Sequence, residues 1–273
     1  GPLIVERVAT LFQPSEERYP GGAITMIGEG VLENPAPRAI IAQHVINTLE
    51  AGTVGFRPGF YMASTDEIFI NVRGKGGHAA TPAQVVDPVL VASHIVIALQ
   101  QIVSRRADPV MPTVVSIGRI TGEGRTNIIP EEVKMAGTVR TYDEAWRLEV
   151  HRKIEKIAQG IAGSMDATCE VRIDRGYPGL YNDPGLTANI ESLAKEYLGE
   201  DYVIELPQRM TAEDFAFFAQ KLPGCLFRLG IGNQQRGIGS NLHSPTFDID
   251  EASLKTGAGL LAWFAVNLLR KED

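Results

Sequence analysis

Two adjacent carboxylates, Glu16 and Glu17, stand in Gln13-Pro14-Ser15-Glu16-Glu17, directly after the apolar run Val8-Ala9-Thr10-Leu11-Phe12. If that run is a parallel strand, the pair falls past its C-terminal end, where open α/β sheets bind ligands. Side by side, one carboxylate can bind a metal while the other accepts a proton from a metal-bound water. A solvated acidic pair opening a helix around Ala23 to Ile27 fits the same residues, because a helix N-terminus favours negative charge.

The histidines offer the complementary donors. His44 follows Ala39-Ile40-Ile41-Ala42 and is expected to end that strand at the same sheet edge as the carboxylates. His243, in the turn-rich Asn241-Leu242-His243-Ser244-Pro245, can act as a neutral imidazole ligand. His78 lies in Gly74-Lys75-Gly76-Gly77-His78-Ala79-Ala80-Thr81-Pro82, where glycines permit unusual backbone angles and close approach. On such a loop it could donate to a developing oxyanion. For each a bland role competes, a packed strand-end histidine or a plain glycine turn. His94 is expected in packing or an interface, and His151 as a solvated helix residue. There is no His-Glu-x-x-His, Gly-x-Ser-x-Gly or Walker pattern, so any chemistry comes from dispersed carboxylates and histidines.

The elements that must position these groups are clearest in mid-chain. Ile68, Ile70 and Val72 alternate with polar neighbours, which predicts a half-buried strand. Asp87 and Pro88 then open a helix whose apolar stripe is Val91, Ile95, Ala98, Leu99 and Ile102. Strands at 113–120 and 133–140, a helix carrying Val150, Ile154, Ile157, Ala158 and Ile161, and a strand with Cys169, Val171 and Ile173 complete a βαββαβ order over 62–176, the ferredoxin-like arrangement. The flanks, 1–61 and 177–273, read as one α/β domain split by this insertion, with continuous apolar strands such as Cys225-Leu226-Phe227.

The 273 residues, 44% of them apolar, are enough for two cores. A net charge of −7 argues against a nucleic-acid partner. Although βαββαβ is also the topology of an RNA-recognition module, 133–140 lacks the aromatic pattern such a module needs. The two cysteines, Cys169 and Cys225, form no metal-ligand spacing, which suits a reducing, cytoplasmic setting. Without a run of 18 apolar residues or a signal-peptide pattern, no membrane partner is expected. The strand-like 8–12 has little lead-in, so further sequence is expected upstream.

Taken together, Leu11 to Glu17, Gly74 to Pro82, Asn127-Ile128-Ile129-Pro130, Gly137-Thr138-Val139-Arg140, Met210-Thr211-Ala212-Glu213-Asp214-Phe215 and Leu242-His243-Ser244-Pro245 resemble the aminoacylase, hippurate hydrolase and carboxypeptidase G family of metallopeptidases, near its N-acyl amino acid amidohydrolase branch. The resemblance implies an α/β catalytic domain interrupted by a ferredoxin-like dimerisation domain. It implies two divalent metal ions, Zn, Mn, Co or Ni, and hydrolysis of the amide bond of N-acyl amino acids or small peptides. Glu16 matches the general base, Glu17, His44 and His243 match metal ligands, and His78 matches a histidine that reaches the partner subunit's site. Asn127 matches a substrate contact, and Arg228 in Phe227-Arg228-Leu229-Gly230 is a candidate for holding a carboxylate. The family's remaining ligands lie upstream of Glu16, so three ligands are expected to fall short of two complete sites. Thr211 stands where the branch usually has glycine, with no physical account. A carboxypeptidase or dipeptidase, or a non-catalytic dimerising fragment, are the alternatives.

Overall fold

The computed structural model describes residues 21–270, which separate into two compact units. The first half of the chain forms α1 (Gly22–Gly28), β1 (Ile40–Glu50), β2 (Val54–Phe56), β3 (Gly59–Met62), β4 (Asp66–Arg73), β5 (Gly77–His78) and α2 (Pro88–Gln101). There follow β6 (Thr113–Thr121), β7 (Ile128–Ile129), β8 (Glu132–Thr141), α3 (Glu144–Ser164) and β9 (Thr168–Arg175). The remainder is β10 (Leu180–Asn182), α4 (Pro184–Leu198), β11 (Val203–Glu205), α5 (Ala216–Ala219), β12 (Gly224–Gly232) and α6 (Ala252–Arg270).

One unit comprises 63–179 with 210–212. Its antiparallel sheet, in order β6-β8-β4-β9, has α2 and α3 on one face, as the βαββαβ reading requires. Ile68, Ile70 and Val72 of β4 point into the core, where Val91, Ile95 and Leu99 of α2 and Val150 and Ile154 of α3 meet them. Both helices start at capping aspartates. Asp87 accepts from Val89 N at 2.8 Å, with Pro88 in the first turn where its missing N–H costs nothing, and Asp143 accepts from Trp146 N at 2.7 Å.

The other unit gathers 21–62, 180–209 and 213–270. Its sheet, in order β1-β12-β2-β11, joins β1 to β12 in parallel. All nine residues of β12 are buried, because both faces are covered. On one side Ile40 and Leu226 pack with Ala23 of α1, Tyr61, and Phe215 and Phe218 at α5. On the other, Cys225, Phe227 and Leu229 pack with Ile190 of α4 and Leu260 and Phe264 of α6.

Two expectations change. The strand expected to end at Ala42 continues to Glu50, so His44 stands in mid-strand; polar Gln43 interrupts the apolar run but not the pairing, which is unbroken from Ile40↔Gly224 to Ile46↔Gly230. His151 is buried at 8% exposure, because its Nε2 meets a carboxylate on the adjacent strand β4, Asp66 Oδ2, at 2.7 Å.

Candidate active site

Glu16 and Glu17, and the strand expected at 8–12, lie outside the described residues. The remaining site residues fall into two groups, one in each unit.

In the unit built on β1 and β12, His44 pairs in register with Arg228. Partners in a parallel register share a face, here the face of Ile40 and Leu226. His44 Nδ1 lies 2.8 Å from Val45 O. A carbonyl only accepts, so Nδ1 carries the proton and Nε2 is the lone-pair atom of the neutral ring, the tautomer suited to a metal. The segment bearing His243 is tied to the same strand: Asn47 Nδ2 donates to Gly239 O at 3.0 Å and to Asn241 Oδ1 at 3.4 Å. His243 itself has a φ of 62°, a left-handed turn conformation uncommon outside glycine. Nearby in the fold, Asp214 Oδ2 accepts from Ala23 N at 3.0 Å and anchors the start of α1.

Arg228 is buried at 3% exposure. Its Nε donates to Tyr61 Oη at 2.9 Å and its Nη2 to Met62 Sδ at 3.1 Å. Asn47 and Tyr61 were not singled out in the sequence, since neither lies in a motif and their partners are more than a hundred residues away.

In the other unit His78 and Asn127 come together. β5 pairs with β7, placing His78 opposite Ile128, and Ala79 N donates to Asn127 O at 3.0 Å. The glycines here serve close approach rather than unusual angles. A side chain at Gly74 would meet Val86 O at 2.1 Å, whereas none of Gly74, Gly76 and Gly77 has a positive φ. His78 is exposed, and its Nδ1 accepts from Ala80 N at 3.0 Å. The proton of the neutral ring therefore sits on Nε2, which becomes a hydrogen-bond donor.

Among the described residues no three of His, Cys, Asp and Glu converge closely enough to hold a metal. The donors fit a divalent ion in kind, since imidazole and carboxylate ligands together suit Zn, Mn, Co or Ni and His44 has the metal-binding tautomer.

The fold and these motifs define a class. The pattern of peptidase family M20/M25/M40 matches residues 4–267, and the chain belongs to that family. Among individual relatives, it is 35% identical over 266 residues to the IAA-amino acid hydrolase ILR1-like 4 of Arabidopsis thaliana, covering 96% of this chain and 60% of that protein. It is 36% identical over 254 residues to the N-acetyldiaminopimelate deacetylase of Bacillus subtilis strain 168, covering 93% and 66%. The crystal structure of Bacillus subtilis YXEP, described as a dinuclear metal binding peptidase, superposes with a TM-score of 0.77 at 31% identity, covering 95% of this chain and 64% of that one. The chain thus spans just under two thirds of the length of these relatives.

Proposed function

We propose that the protein is a metal-dependent amidohydrolase acting on the amide bond of N-acyl amino acids. The observation that carries the reading is the register of His44 beside Arg228 on one face of a parallel strand pair, in a chain matched by the family along 4–267. Relatives that bear the names of an amino-acid conjugate hydrolase and a deacetylase support the substrate class.

In this reading Glu17, His44 and His243 would hold metal ions. When bound, such ions acidify a water and polarise the scissile carbonyl. Glu16 accepts the water's proton and delivers it to the leaving amine. His78, with its proton on Nε2, would reach the active site of a partner subunit and donate to the carbonyl oxygen there as negative charge builds on it. Asn127, fixed beside His78 through its backbone carbonyl, contacts the substrate.

We read the unit of 63–179 as a homodimerisation domain. β6 is an edge strand, and the described residues give its outer side no partner. The helix above it, α2, exposes Leu90 at 49% and Ile97 at 71%, with exposed His94 between them at helical spacing. Two copies related by a two-fold axis would cover both features at once. A reducing, cytoplasmic setting suits the two unpaired cysteines; burial pushes the Cys225 thiol up to about 12.

The deciding experiment measures tightly bound metal per chain after loading with Zn or Mn and dialysis, followed by hydrolysis of N-acyl amino acids and dipeptides. About two equivalents with acyl-amino acid turnover is the expected result. Preference for dipeptides makes the protein a peptidase, and absence of both metal and turnover leaves a dimerising protein without catalysis.

A further inference from the structure

At the start of β6 the unit of 63–179 and 210–212 carries an open cavity of about 310 Å³. A π-helical turn, Ile102–Arg106, follows α2 and is closed by Ala107 N donating to Ile102 O at 2.8 Å; it supplies Val103 to one wall. Such turns often mark functional positions. The second wall is the turn at Asp108, whose Oδ1 accepts from Val110 N at 3.0 Å and whose carbonyl accepts from Met111 N at 2.9 Å. Pro109 and Pro112 stiffen it. The third is the first part of β6, where Thr113 Oγ1 donates to Met111 O at 3.1 Å and accepts from Trp146 Nε1 at 2.9 Å. Val114 and Met210 complete the lining.

The volume is at the lower end of the range for small-molecule sites, and the walls are mainly apolar, with two adaptable methionines. The one charged residue that lines it is Asp108; Arg105 and Arg106, next to it in sequence, do not. An uncharged apolar group suits these walls, whereas a carboxylate would meet like charge.

We propose that this cavity is the subsite for the acyl group of the substrate and determines acyl specificity. The proposal rests on the amidohydrolase and homodimer readings above. Within one copy the cavity and His78 belong to opposite ends of the sheet. Thr113 pairs with Thr141 and Thr121 with Lys134, and the strand pair β5–β7 lies past the Thr121 end, beyond Arg73↔Glu132. The nine residues of β6 keep the two roughly 25–30 Å apart at the usual rise per residue. Pairing of β6 with its two-fold mate is antiparallel and reverses the ends, setting the partner's Thr121 end beside this Thr113. The partner subunit's His78 then arrives on the side of the cavity. In an N-acyl amino acid the acyl chain starts from the carbonyl whose oxygen that histidine contacts, so the acyl chain is the part of the substrate nearest the cavity.

The test titrates acetyl-, butanoyl- and hexanoylglycine into the 273-residue chain by calorimetry, and follows isotope-labelled methionine methyls by NMR. Each added methylene should tighten binding by about two- to fourfold, the range for partial to full burial. The longer chains should shift the methyl signals of Met111 and Met210, which Met111→Leu and Met210→Leu identify. Ala107→Trp puts an indole into the cavity and should remove the gain from the added methylenes, with the largest loss for hexanoylglycine. Should that variant fail to fold, Val103→Trp fills the cavity from the helix side. Equal or undetectable binding across the series, or a chain-length dependence that survives in a folded tryptophan variant, would overturn the proposal. Chain-length-dependent binding that the variant removes, without turnover of any of these compounds by the metal-loaded protein, sinks the hydrolase reading alone. Turnover with kcat/KM independent of chain length sinks this one alone.

Discussion

Arg147, in the first turn of α3, forms a buried two-pronged ion pair with Asp66, the first residue of β4: Nε donates to Oδ2 at 2.8 Å and Nη2 to Oδ1. The pair reaches the backbone on both sides of the βαββαβ unit. Asp66 Oδ1 accepts from Gly176 N at 3.1 Å, Arg147 Nη2 donates to Gly176 O at 3.1 Å, and Glu144 Oε1 accepts from Gly179 N at 3.1 Å. The segment that enters the unit at 63–66 and the one that leaves it at 176–179 are thus held by one cluster. Arg147→Ala strips the buried Asp66 carboxylate of its two-pronged partner, leaving the His151 contact and the charge of Arg140, and is expected to cost about 3–5 kcal/mol in urea unfolding. A joint replacement, Asp66→Leu with Arg147→Met, should cost much less than the sum of the single changes. Additive costs would show that the pair is not coupled.

The same carboxylate predicts an acid dependence. Burial would raise its pKa, but hydrogen bonds from Arg147 and His151, together with their charges, outweigh burial and hold it at about 2, below its ordinary 3.8. A depressed pKa means that the unfolded chain takes up the proton first as pH falls. The contribution, about 2 kcal/mol, is present above the ordinary value and disappears as pH drops through the folded one. The stability difference between wild type and Asp66→Asn should therefore shrink between about pH 5 and about pH 2. A difference that stays constant over that range would contradict the assignment.

The mid-chain order was readable because its strands alternate strictly and its helices begin at acids able to cap them. Ile68, Ile70 and Val72 all point inward, and Asp87 with Pro88 marks the start of α2. His151 was misread because its neighbours Glu149, Arg152 and Lys153 are those of a solvated helix, and nothing local discloses a carboxylate on β4. The full length of β1 was missed for a related reason. Gln43 and His44 look like a strand end, whereas partners on β12 carry the ladder on to Ile46. The candidate site was legible as motifs, but its pairings were not. His44 beside Arg228, and Asn47 tied to Gly239 and Asn241, depend on strand order that periodicity does not specify.

His78 should affect turnover more than binding. With Nδ1 occupied by Ala80 N–H, its Nε2 proton is the group available to an oxyanion. Removing one such donor typically lowers kcat by about 10²–10³. His78→Ala is expected to show that loss with KM little changed, in steady-state hydrolysis of an N-acyl amino acid by the metal-loaded protein. His78→Gln, which retains an N–H donor, should recover part of it. A purely structural role would instead lower the melting temperature and leave the two variants equally impaired.

His44 and His243 should both control metal content. Removing a single imidazole ligand from a site with few protein ligands sharply weakens its affinity, and His44 already presents the lone pair on Nε2. His44→Ala and His243→Ala are each expected to retain less Zn or Mn than wild type after dialysis, with melting temperatures in the metal-free state close to wild type. Undiminished metal in both variants would remove these histidines from the ligand set.

The exposed flank of α2 gives the last prediction. Ile97 is 71% exposed on α2, whose opposite face buries Val91, Ile95 and Leu99, and β6 is an edge strand of the sheet in the same unit. If two copies meet there, Ile97→Glu puts a charge into a desolvated contact opposite its own symmetry mate, where like charges repel and neither is paired. Sedimentation velocity at about ten micromolar, a range in which interfaces of ordinary size remain assembled, should find wild type as a dimer and Ile97→Glu as a monomer. Leu254→Glu is the control, because Leu254 is 59% exposed on α6 in the other unit and should leave the dimer intact. A wild-type protein that sediments as a monomer removes the interface altogether. Dissociation by Leu254→Glu but not by Ile97→Glu would relocate it to the unit that carries His44.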